Sequence, residues 1–454
     1  MDQSARPEIF KAYDIRGLVE TELTPDFAFR AGLAFARFLE QEREPGTIVI
    51  GEDMRPSSPV LAEAFSAGAT SNGMDVIRIG LASTDMLYFA SGKLNMPGAM
   101  FTASHNPAEY NGIKMCKSGA RPIGKESGLQ AIERYVFDGS PIPMRPVGVE
   151  TVRNMLDEYV SHLLSLVDVS QIRPLKIVID AGNGMAGYTA RPLFKKLNVE
   201  LIEMYFDLDG TFPNHDANPI DPGNMQDLQK AVRKHKADIG LAFDGDADRC
   251  FLVDENGEIV NPSALTGLIA ERELAKYPHS SVIYNLISSR AVAEVVEECG
   301  GTAIRSRVGH SYIKKLMADS GAVFGGEHSG HFYFRDFWCA DSGMLAALHA
   351  IGALGLQKSP LSKILKKYQR YFSSGEINST VSNPQEIMSE VEDVFGGKVG
   401  VTIDHLDGLT VSAEAWWFNL RSSNTEPLLR LNVEAKTEAR LNRVRDEVLA
   451  LLNR

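Results

Sequence analysis

The 454-residue sequence predicts an α/β protein: three related α/β domains with mixed, largely parallel sheets, followed by a C-terminal α+β domain. An apolar strand, a polar loop, an amphipathic helix and a second strand recur in this order from Thr47, from Leu175 and from Ser281. Strands that alternate with helices, with short Gly- or Asn-marked returns, are typical of βαβ units and parallel sheets. From about residue 366, strands such as LTVSAEAWWF and PLLRLNVEA precede a last amphipathic helix, EARLNRVRDEVLALL, which predicts the α+β domain.

Two breaks in this pattern indicate domain boundaries. The run FDGSPIPMRPVG, residues 137–148, is rich in Pro and Gly and predicts a linker. A turn is predicted at Glu255-Asn256-Gly257, between the second and third domains. Length alone predicts about three domains. The three α/β units leave a C-terminal α+β segment, so the predicted number of domains is four. The predicted domains are I at 1–147, II at 148–253, III at 254–365 and IV at 366–454.

The charge and the apolar runs exclude several classes of partner. Because 47 Lys and Arg face 59 Asp and Glu, the formal net charge is −12. Such a chain lacks the positive field that nucleic-acid binding uses, and an anionic membrane surface would repel it. The N-terminus, MDQSARPEIF, has no apolar secretory segment. The longest apolar run, Gly343–Leu356, is too short to span a bilayer and predicts a buried helix.

The four cysteines lie far apart and form no CxxC pair, which argues against a disulfide framework and a structural zinc site. Cysteines spaced in this way fit a protein of a reducing compartment. We therefore expect a cytoplasmic protein with neither a nucleic-acid nor a membrane partner. The cysteines are Cys116, Cys250, Cys299 and Cys339.

Two polar loops follow apolar strands in the first half of the chain. In FTASHNP, residues 101–107, the loop would present the Ser104 hydroxyl to a ligand, although a turn stabilised by Ser and Asn is the alternative. In DGDADR, residues 244–249, alternate carboxylates can converge on one cation, and an all-oxygen set suits Mg²⁺. An EF-hand is rejected, because its turn glycine is replaced by Arg249 and the flanking segments are strands.

Two further loops carry groups suited to a sugar phosphate. GGEHSGH, residues 325–331, offers Glu327, Ser329 and two histidines that could contact sugar hydroxyls. RSSNTEP, residues 421–427, supplies a guanidinium, hydroxyls and backbone amides, which are groups that bind a phosphate monoester. An ordinary polar loop is the alternative for each.

A third glycine-rich segment has two interpretations. Residues 182–187 spell GxGxxG after a strand, and Asp207 follows at about the spacing of a dinucleotide-binding site. However, Asp180 ends that strand two residues before the first glycine, where its carboxylate would oppose a pyrophosphate. We favour a tight strand-to-helix turn.

TASHNP, DGDADR, GEHSGH and RSSNTEP occur in this order, one in each predicted domain, and together they closely resemble the α-D-phosphohexomutase superfamily. The opening KAYDIRG, residues 11–17, resembles the phosphomannomutase/phosphoglucomutase branch. The resemblance covers essentially the whole chain. It implies four domains around a central cleft, Mg²⁺ as the cofactor and a hexose phosphate as the substrate.

The resemblance also implies a role for each matching residue. Ser104 would carry the phosphoryl group and, with Asp244, Asp246 and Asp248, hold Mg²⁺. Glu327 and Ser329 would bind the sugar O3 and O4 hydroxyls. Lys114 and His310 are candidates for proton transfer. The phosphate that does not react would meet Arg421, Ser423, Asn424 and Thr425, while the reacting group and substrate would meet Tyr13, Arg16, His105, Lys114, Arg249 and His310.

These roles predict interconversion of mannose 6-phosphate and mannose 1-phosphate, extending to glucose phosphates, through phosphoserine and a hexose 1,6-bisphosphate intermediate that also acts as activator. The alternatives are a dedicated phosphoglucomutase and a sugar-phosphate phosphatase. A nucleotide-binding oxidoreductase rests only on the GxGxxG segment. We expect a monomer or a weak homodimer.

Overall fold

A computed structural model describes residues 9–138, 146–422 and 428–452, with the backbone alone at residues 310 and 311. The chain divides into two compact units. Unit 1 comprises the described parts of Met1–Val260 and Ser329–Ile364, and unit 2 those of Asn261–His328 and Leu365–Arg454. Helices and strands are numbered in chain order across both units.

The first sheet of unit 1 is mixed. Within the described residues, its strands run in the order β1-β5-β4-β2-β3-β7, and β6 pairs with β5. Strand β2 is parallel to β3 and β4, whereas β5 is antiparallel to β1, β4 and β6. The strands are β1 Ile15–Leu18, β2 Thr47–Glu52, β3 Asp75–Leu81, β4 Gly98–Phe101, β5 Tyr110–Lys117, β6 Arg121–Pro122 and β7 Glu150–Val152.

Four helices accompany this sheet: α1 Pro25–Gln41, α2 Ser58–Ser71, α3 Thr84–Leu94 and α4 Gln130–Phe137, the last preceded by a π turn at Lys125–Leu129. Helix α1 begins at Pro25 because the Thr24 hydroxyl accepts a hydrogen bond from the Phe27 N–H group. Its apolar face packs against α2 and α4, and Phe35, Phe65 and Phe101 lie together in the resulting core.

The second sheet of unit 1 runs in the order β11-β10-β8-β9. Strand β8 is parallel to β9 and β10, and β10 and β11 form an antiparallel hairpin. Because the carboxyl ends of parallel strands meet at one edge, the loops after β8 and β10 lie side by side. The elements are α5 Leu156–Leu166, β8 Leu175–Asp180, α6 Ala186–Phe194, β9 Val199–Met204, a 3₁₀ turn at Pro222–Met225, α7 Gln226–His235, β10 Ile239–Phe243 and β11 Cys250–Val253.

The remainder of unit 1 contains the antiparallel pair β15 and β16 and the buried helix α11. Every residue of α11 except Ala353 is buried, which confirms the helix predicted from the apolar run. The elements are β15 Phe332–Phe334, a 3₁₀ turn at Arg335–Phe337, β16 Ala340–Asp341, α11 Gly343–Gly355 and α12 Leu361–Leu365, of which the last residue belongs to unit 2.

Unit 2 contains a parallel set of strands and an antiparallel sheet. Strand β12 is parallel to β13 and β14. The later strands run β17-β21-β20-β19-β18, and each pair in this order is antiparallel. The elements are α8 Pro262–Lys276, β12 Ser281–Asn285, α9 Arg290–Glu298, β13 Thr302–Ser306, α10 His310–Ser320, β14 Phe324–Gly326, β17 Phe372–Thr380, α13 Pro384–Gly396, β18 Thr402–Asp404, β19 Leu409–Ala413, β20 Trp416–Ser422, β21 Leu428–Ala435 and α14 Glu438–Leu452.

The predicted fold class is confirmed. All three predicted βαβ units form parallel strand pairs, β2 with β3, β8 with β9 and β12 with β13. The run LTVSAEAWWF is a hairpin rather than one strand, because the chain turns at residues 414–415 between β19 and β20.

Most of the predicted linker at 137–148 lies outside the described residues, and the four domain boundaries stay predictions. Within the described residues, no helix combines the length and apolar character needed to cross a bilayer.

Asp85, at the start of α3, connects segments of unit 1 that are far apart in sequence. Its Oδ2 atom accepts hydrogen bonds from the hydroxyls of Tyr159, at 2.7 Å, and Ser342, at 2.6 Å. The Ser83 hydroxyl donates to Oδ1. Burial raises the pKa of Asp85 to about 7, so the folded protein retains a proton that the unfolded chain releases near pH 4.

This pKa predicts a falling stability as the pH rises from about 4 to about 7, since the folded state binds the extra proton across that interval. Asp85→Asn is neutral at every pH and should remove that dependence. The free energy of unfolding of the variant, relative to the wild type, should rise by about 2–4 kcal/mol across the interval. The midpoint of urea unfolding, measured for both proteins between pH 5 and pH 8, checks this. Parallel pH profiles would contradict it.

Candidate active site

Ser104 occupies a buried turn after β4. The Thr102 hydroxyl accepts a hydrogen bond from the Ser104 N–H group at 3.0 Å, and Ser104 adopts a left-handed conformation with φ of 51°. That conformation is unfavourable for a side chain other than glycine and is common at functional sites. The Ser104 hydroxyl is directed at a carboxylate and donates to Asp244 Oδ2 at 2.7 Å.

Three carboxylates meet in the loop between β10 and β11. Oxygen atoms of Asp244, Asp246 and Asp248 lie within 4.8 Å of one another, and all three residues are buried. This loop approaches the serine turn closely: a Cβ atom at Gly245 would lie 2.3 Å from the Ser104 carbonyl oxygen, so only glycine fits. The strand geometry thus holds the serine hydroxyl and the carboxylates together.

A single ammonium group faces this cluster. Lys114, on β5, donates from Nζ to Asp246 and to Asp248, each at 2.7 Å. Although burial opposes it, these ion pairs raise the pKa of Lys114 well above its usual value and hold the pKa of Asp246 well below its usual range. Burial and repulsion by the two neighbouring carboxylates raise the pKa of Asp244. Lys114 and the Arg249 guanidinium, whose Nε atom lies 3.6 Å from Asp244 Oδ2, offset part of the charge of the three carboxylates.

The cluster fits a divalent cation. The Oδ1 atoms of Asp246 and Asp248 are buried and have no hydrogen-bond partner among the described residues. Buried carboxylate oxygens without a partner are costly, and a cation that takes oxygen ligands would satisfy them. Asp244, Asp246, Asp248 and Ser104 are the residues that would hold it.

Thr84, which the sequence analysis did not identify, supports the cluster. Its hydroxyl donates to Asp246 Oδ2 at 2.5 Å, and its N–H group donates to the Asp246 carbonyl oxygen at 3.0 Å. The amino end of α3 is thereby attached to the loop that carries the carboxylates. No local signal predicts a contact between residues 162 positions apart.

Arg249 forms two hydrogen bonds in the site, one through its main chain and one through its side chain. Its N–H group donates to Asp244 Oδ1 at 3.1 Å, and its Nε atom donates to His331 Nε2 at 3.0 Å. His331 Nδ1 lies 2.9 Å from Asp341 Oδ2, so the network assigns the ring proton to Nδ1. Asp248, His331 and Asp341 also lie within metal-binding distance of one another, but both ring nitrogens of His331 already have partners.

The KAYDIRG segment reaches the serine turn through Arg16, which donates to the side chains of Asn106 and Asp14. Tyr13 is half-buried in the same segment. His105 Nδ1 lies 3.1 Å from the Ser104 hydroxyl oxygen. The positive charge of Arg249, together with burial and Arg16, lowers the pKa of His105 well below its usual value, so the ring is neutral.

Most amides of the GxGxxG turn between β8 and α6 are already used within the protein. Its N–H groups donate within the protein: Gly182 to Asp180 Oδ1, Asn183 to the Tyr205 carbonyl oxygen and Met185 to the Gly245 carbonyl oxygen. A dinucleotide site requires such amides to face the phosphates. The turn instead supports the carboxylate loop at Gly245.

The other predicted residues are divided between the two units. In unit 2, Glu327 is buried and accepts a hydrogen bond from Asn285 at 3.4 Å, and Arg421 donates to Glu376 at 2.8 Å. In unit 1, the Ser329 hydroxyl is buried without a hydrogen-bond partner among the described residues. The His310 side chain and the predicted phosphate-binding residues Ser423, Asn424 and Thr425 lie outside the described residues.

The geometry in unit 1 defines a class of enzyme. A serine hydroxyl that shares a carboxylate with a candidate cation site, beside lysine and arginine, is suited to moving phosphoryl groups through a serine ester. Such chemistry depends mainly on positioning and on neutralising charge. The comparisons with known proteins agree with this class.

Four family profiles match consecutive parts of the chain. Their descriptions are phosphoglucomutase/phosphomannomutase alpha/beta/alpha domain I, at residues 7–141, domain II at 157–257, domain III at 261–371, and the C-terminal domain at 376–451. The chain therefore belongs to the phosphoglucomutase/phosphomannomutase family. It is a phosphohexomutase, an isomerase that acts by intramolecular phosphotransfer.

Individual relatives agree with this assignment. A phosphomannomutase of Escherichia coli K12 is 41% identical, with 98% of each chain covered. A protein named phosphohexose mutases from Xanthomonas campestris is also 41% identical, over 98% of this chain and 99% of that one. A solved phosphoglucomutase/phosphomannomutase family protein from Burkholderia thailandensis has a TM-score of 0.89 at 32% identity, covering 98% of this chain and 96% of that one.

Proposed function

We propose that the protein interconverts mannose 6-phosphate and mannose 1-phosphate through phosphorylated Ser104 and a mannose 1,6-bisphosphate intermediate. The observation that carries the proposal is the hydrogen bond of 2.7 Å from the Ser104 hydroxyl to Asp244, within the cluster of three carboxylates. Relatives that are 40–41% identical over 98% of this chain and are named phosphomannomutase support mannose as the sugar.

The cofactor in this proposal is Mg²⁺, held by Asp244, Asp246, Asp248 and an oxygen of phosphorylated Ser104. The unpaired oxygens of Asp246 and Asp248 support this assignment. When bound, the ion supplies positive charge at the phosphoryl oxygens. A relative from Aspergillus fumigatus was solved with GlcNAc-6P and magnesium.

The first half-reaction transfers the phosphoryl group from Ser104 to the substrate. The free hydroxyl oxygen of the sugar phosphate forms a bond to phosphorus, and the bond from phosphorus to Ser104 Oγ breaks. The sugar hydroxyl loses its proton to a base, and Ser104 Oγ takes up a proton from an acid. Lys114 and His310 are the candidates for proton transfer, and Lys114 would act as the donor because its raised pKa keeps it an ammonium. Arg16, His105 and Arg249 bind the phosphoryl oxygens, and the two guanidinium groups offset their charge.

The second half-reaction returns the other phosphoryl group to Ser104. The bisphosphate reorients, Ser104 Oγ loses its proton and attacks the second phosphorus atom, and the bond from that phosphorus to the sugar oxygen breaks. The sugar oxygen takes up a proton, and the product retains the phosphate it received first. A hexose 1,6-bisphosphate added from outside phosphorylates Ser104 in the same way and so activates the unphosphorylated enzyme. Release of the intermediate before the second transfer would leave the enzyme inactive until it was rephosphorylated.

Other residues recognise the parts of the substrate that do not react. Glu327 and Ser329 bind the O3 and O4 hydroxyls of the sugar, and Tyr13 contacts the substrate. The phosphate that does not react is bound by Arg421, Ser423, Asn424 and Thr425. The buried carboxylate of Glu327 and the buried Ser329 hydroxyl support the assignment of these two residues to the sugar hydroxyls.

We also propose a cytoplasmic monomer or weak homodimer, in keeping with the absence of a disulfide among the four cysteines.

The experiment compares kcat/KM for mannose 1-phosphate and glucose 1-phosphate, with Mg²⁺ and a trace of hexose 1,6-bisphosphate. We expect turnover of both sugars, with mannose 1-phosphate preferred by about tenfold or more, a ratio within reach of a single altered contact. A preference for glucose 1-phosphate would favour a dedicated phosphoglucomutase. Stoichiometric release of inorganic phosphate without a hexose 6-phosphate product would favour a phosphatase.

A further inference from the structure

Arg55 is a buried cation that has no place in the reaction described above. It lies between β2 and α2, in the sequence EDMRPSS, and only 1% of its surface is exposed. Arginine is seldom buried to this extent unless its donors are all engaged. The partners of Arg55 therefore indicate why this position carries a guanidinium.

Its terminal nitrogens donate only to main-chain carbonyl oxygens of the serine turn and of the residue that begins β5. Nη2 donates to Ser104 at 3.0 Å and to Asn106 at 2.6 Å. Nη1 donates to Pro107 at 2.8 Å and to Tyr110 at 2.9 Å. The four N–H groups at the end of the guanidinium thus have four acceptors, all within seven residues of chain.

The buried carboxylate of Asp53 also contacts Arg55. Arg55 Nε lies 3.4 Å from Asp53 Oδ2, and the Ser58 hydroxyl and the Arg55 N–H group both donate to Asp53 Oδ1. The loop after β9 covers the other side. A Cβ atom at Gly210 would lie 2.6 Å from Arg55 Cα, and the Phe212 ring centre lies 5.1 Å from Arg55 Cζ.

These contacts determine how Ser104 is presented. The Ser104 carbonyl oxygen is directed at Arg55, whereas its hydroxyl is directed at Asp244. The left-handed φ of 51° at Ser104 is unfavourable and persists only if surrounding contacts impose it. The donors of Arg55 supply such contacts on one side of the turn, and the carboxylate loop supplies them on the other.

We propose that Arg55 is a positioning residue for phosphoryl transfer: through four main-chain carbonyl groups it orients the serine turn, so that Ser104 Oγ is aligned for both half-reactions. Arg55 touches neither the substrate nor the transferring group. The kinetic part of this proposal rests on the proposed function of Ser104, whereas the effect on the turn does not.

Arg55→Lys tests whether the planar guanidinium is needed or whether a positive charge is enough. Arg55→Lys retains the positive charge beside Asp53, but a single ammonium cannot reproduce a planar fork that serves four carbonyl groups. We expect kcat for mannose 1-phosphate to fall by about 10²-fold, while KM changes less than about threefold, because the loss is in alignment rather than in substrate binding. Arg37→Lys, at a surface pair with Asp138, is the matched control and should behave as wild type.

A second measurement does not depend on activity. Hydrogen–deuterium exchange should accelerate in Arg55→Lys at the amides of the serine turn, where Asn106 donates to Ala103 and Tyr110 to Pro107, but not in α1. In Arg55→Ala, millimolar guanidinium chloride, far below denaturing concentrations, should restore part of kcat, whereas equal concentrations of sodium chloride should not.

The outcomes separate the two proposals. Unchanged exchange in the turn and unchanged kcat in Arg55→Lys would overturn the role of Arg55. A uniform acceleration of exchange across unit 1, without rescue of Arg55→Ala by guanidinium, would show a merely structural role and would also overturn it. If the wild type does not convert hexose phosphates while exchange in Arg55→Lys changes only in the turn, the proposed function fails and the effect on the turn stands.

Discussion

Ser104→Ala is expected to lower mutase turnover by about 10³-fold or more, because no other group in the described cluster can carry the phosphoryl group between the two half-reactions. The substitution removes the hydrogen bond from the Ser104 hydroxyl to Asp244 and the contact of the hydroxyl with His105 Nδ1, and no buried packing. Its effect on the free energy of unfolding should therefore be about 1 kcal/mol. The measurements are the conversion of mannose 1-phosphate with excess bisphosphate and the midpoint of urea unfolding.

Ser118→Ala is the matched control for this substitution. The Ser118 hydroxyl donates to Glu44, also in unit 1, so the control removes a comparable hydrogen bond to a carboxylate away from the cluster. We expect it to leave turnover within about twofold of wild type. If Ser104→Ala were as active as this control, the phosphoserine mechanism would be wrong.

Asp248→Asn is expected to raise the Mg²⁺ concentration needed for half-maximal activity by about tenfold or more and to lower kcat/KM by about 10²-fold. The Asp248 Oδ1 atom is buried and has no hydrogen-bond partner among the described residues, so a neutral amide removes charge where the cation would bind. Titration of the EDTA-treated enzyme with Mg²⁺ measures the change. EDTA alone should abolish wild-type activity, and Mg²⁺ should restore it.

Asp254→Asn tests whether this effect belongs to the cluster or to any buried aspartate of the β10–β11 region. Asp254 Oδ1 accepts hydrogen bonds from the N–H groups of Asn256 and Glu258, which an amide oxygen can also accept. We expect Mg²⁺ dependence close to that of the wild type. Equal Mg²⁺ requirements in Asp248→Asn and the wild type would exclude Asp248 as a ligand.

Much of the fold could be predicted because its signals are local. Each βαβ unit has an apolar strand, a helical repeat and a short return within about 35 residues, which is enough to predict parallel pairing. The hairpin of β19 and β20 was not resolved from the sequence, since the turn at Glu414 and Ala415 contains neither Gly nor Pro. Alternation continues across such a turn and cannot reveal it.

Most candidate residues of unit 1 lie in recognisable motifs, Lys114 could be named only through the family resemblance, and the structure brings several of them together. Ser104, Lys114 and the carboxylate loop meet because β4, β5 and β10 end or pass near one another. The supporting residues could not be found this way. Thr84, Arg55 and Asp85 act through contacts with positions 49 to 257 residues away, and a threonine, arginine or aspartate has no local pattern that reports such a partner.

The GxGxxG sequence is compatible with two kinds of turn, one that binds a dinucleotide and one that only supports a neighbouring loop. Its glycines permit a tight turn between β8 and α6, as a dinucleotide-binding turn would require. The N–H groups of Gly182 and Met185 are nevertheless used by Asp180 and Gly245. Only the three-dimensional contacts distinguish a turn that supports a neighbouring loop from one that binds phosphate.

The central claim is that Ser104 carries the transferred phosphoryl group, and peptide mass spectrometry tests it most directly. The enzyme is dephosphorylated, incubated with Mg²⁺ and a hexose 1,6-bisphosphate, quenched in acid and digested. We predict that one phosphoryl group appears on the peptide containing Ser104. When that group carries an isotopic label, excess unlabelled hexose monophosphate should replace it with an unlabelled phosphoryl group, because each cycle returns a phosphoryl group to Ser104. A wild-type enzyme that turns over hexose phosphates while this peptide remains unmodified would contradict the claim.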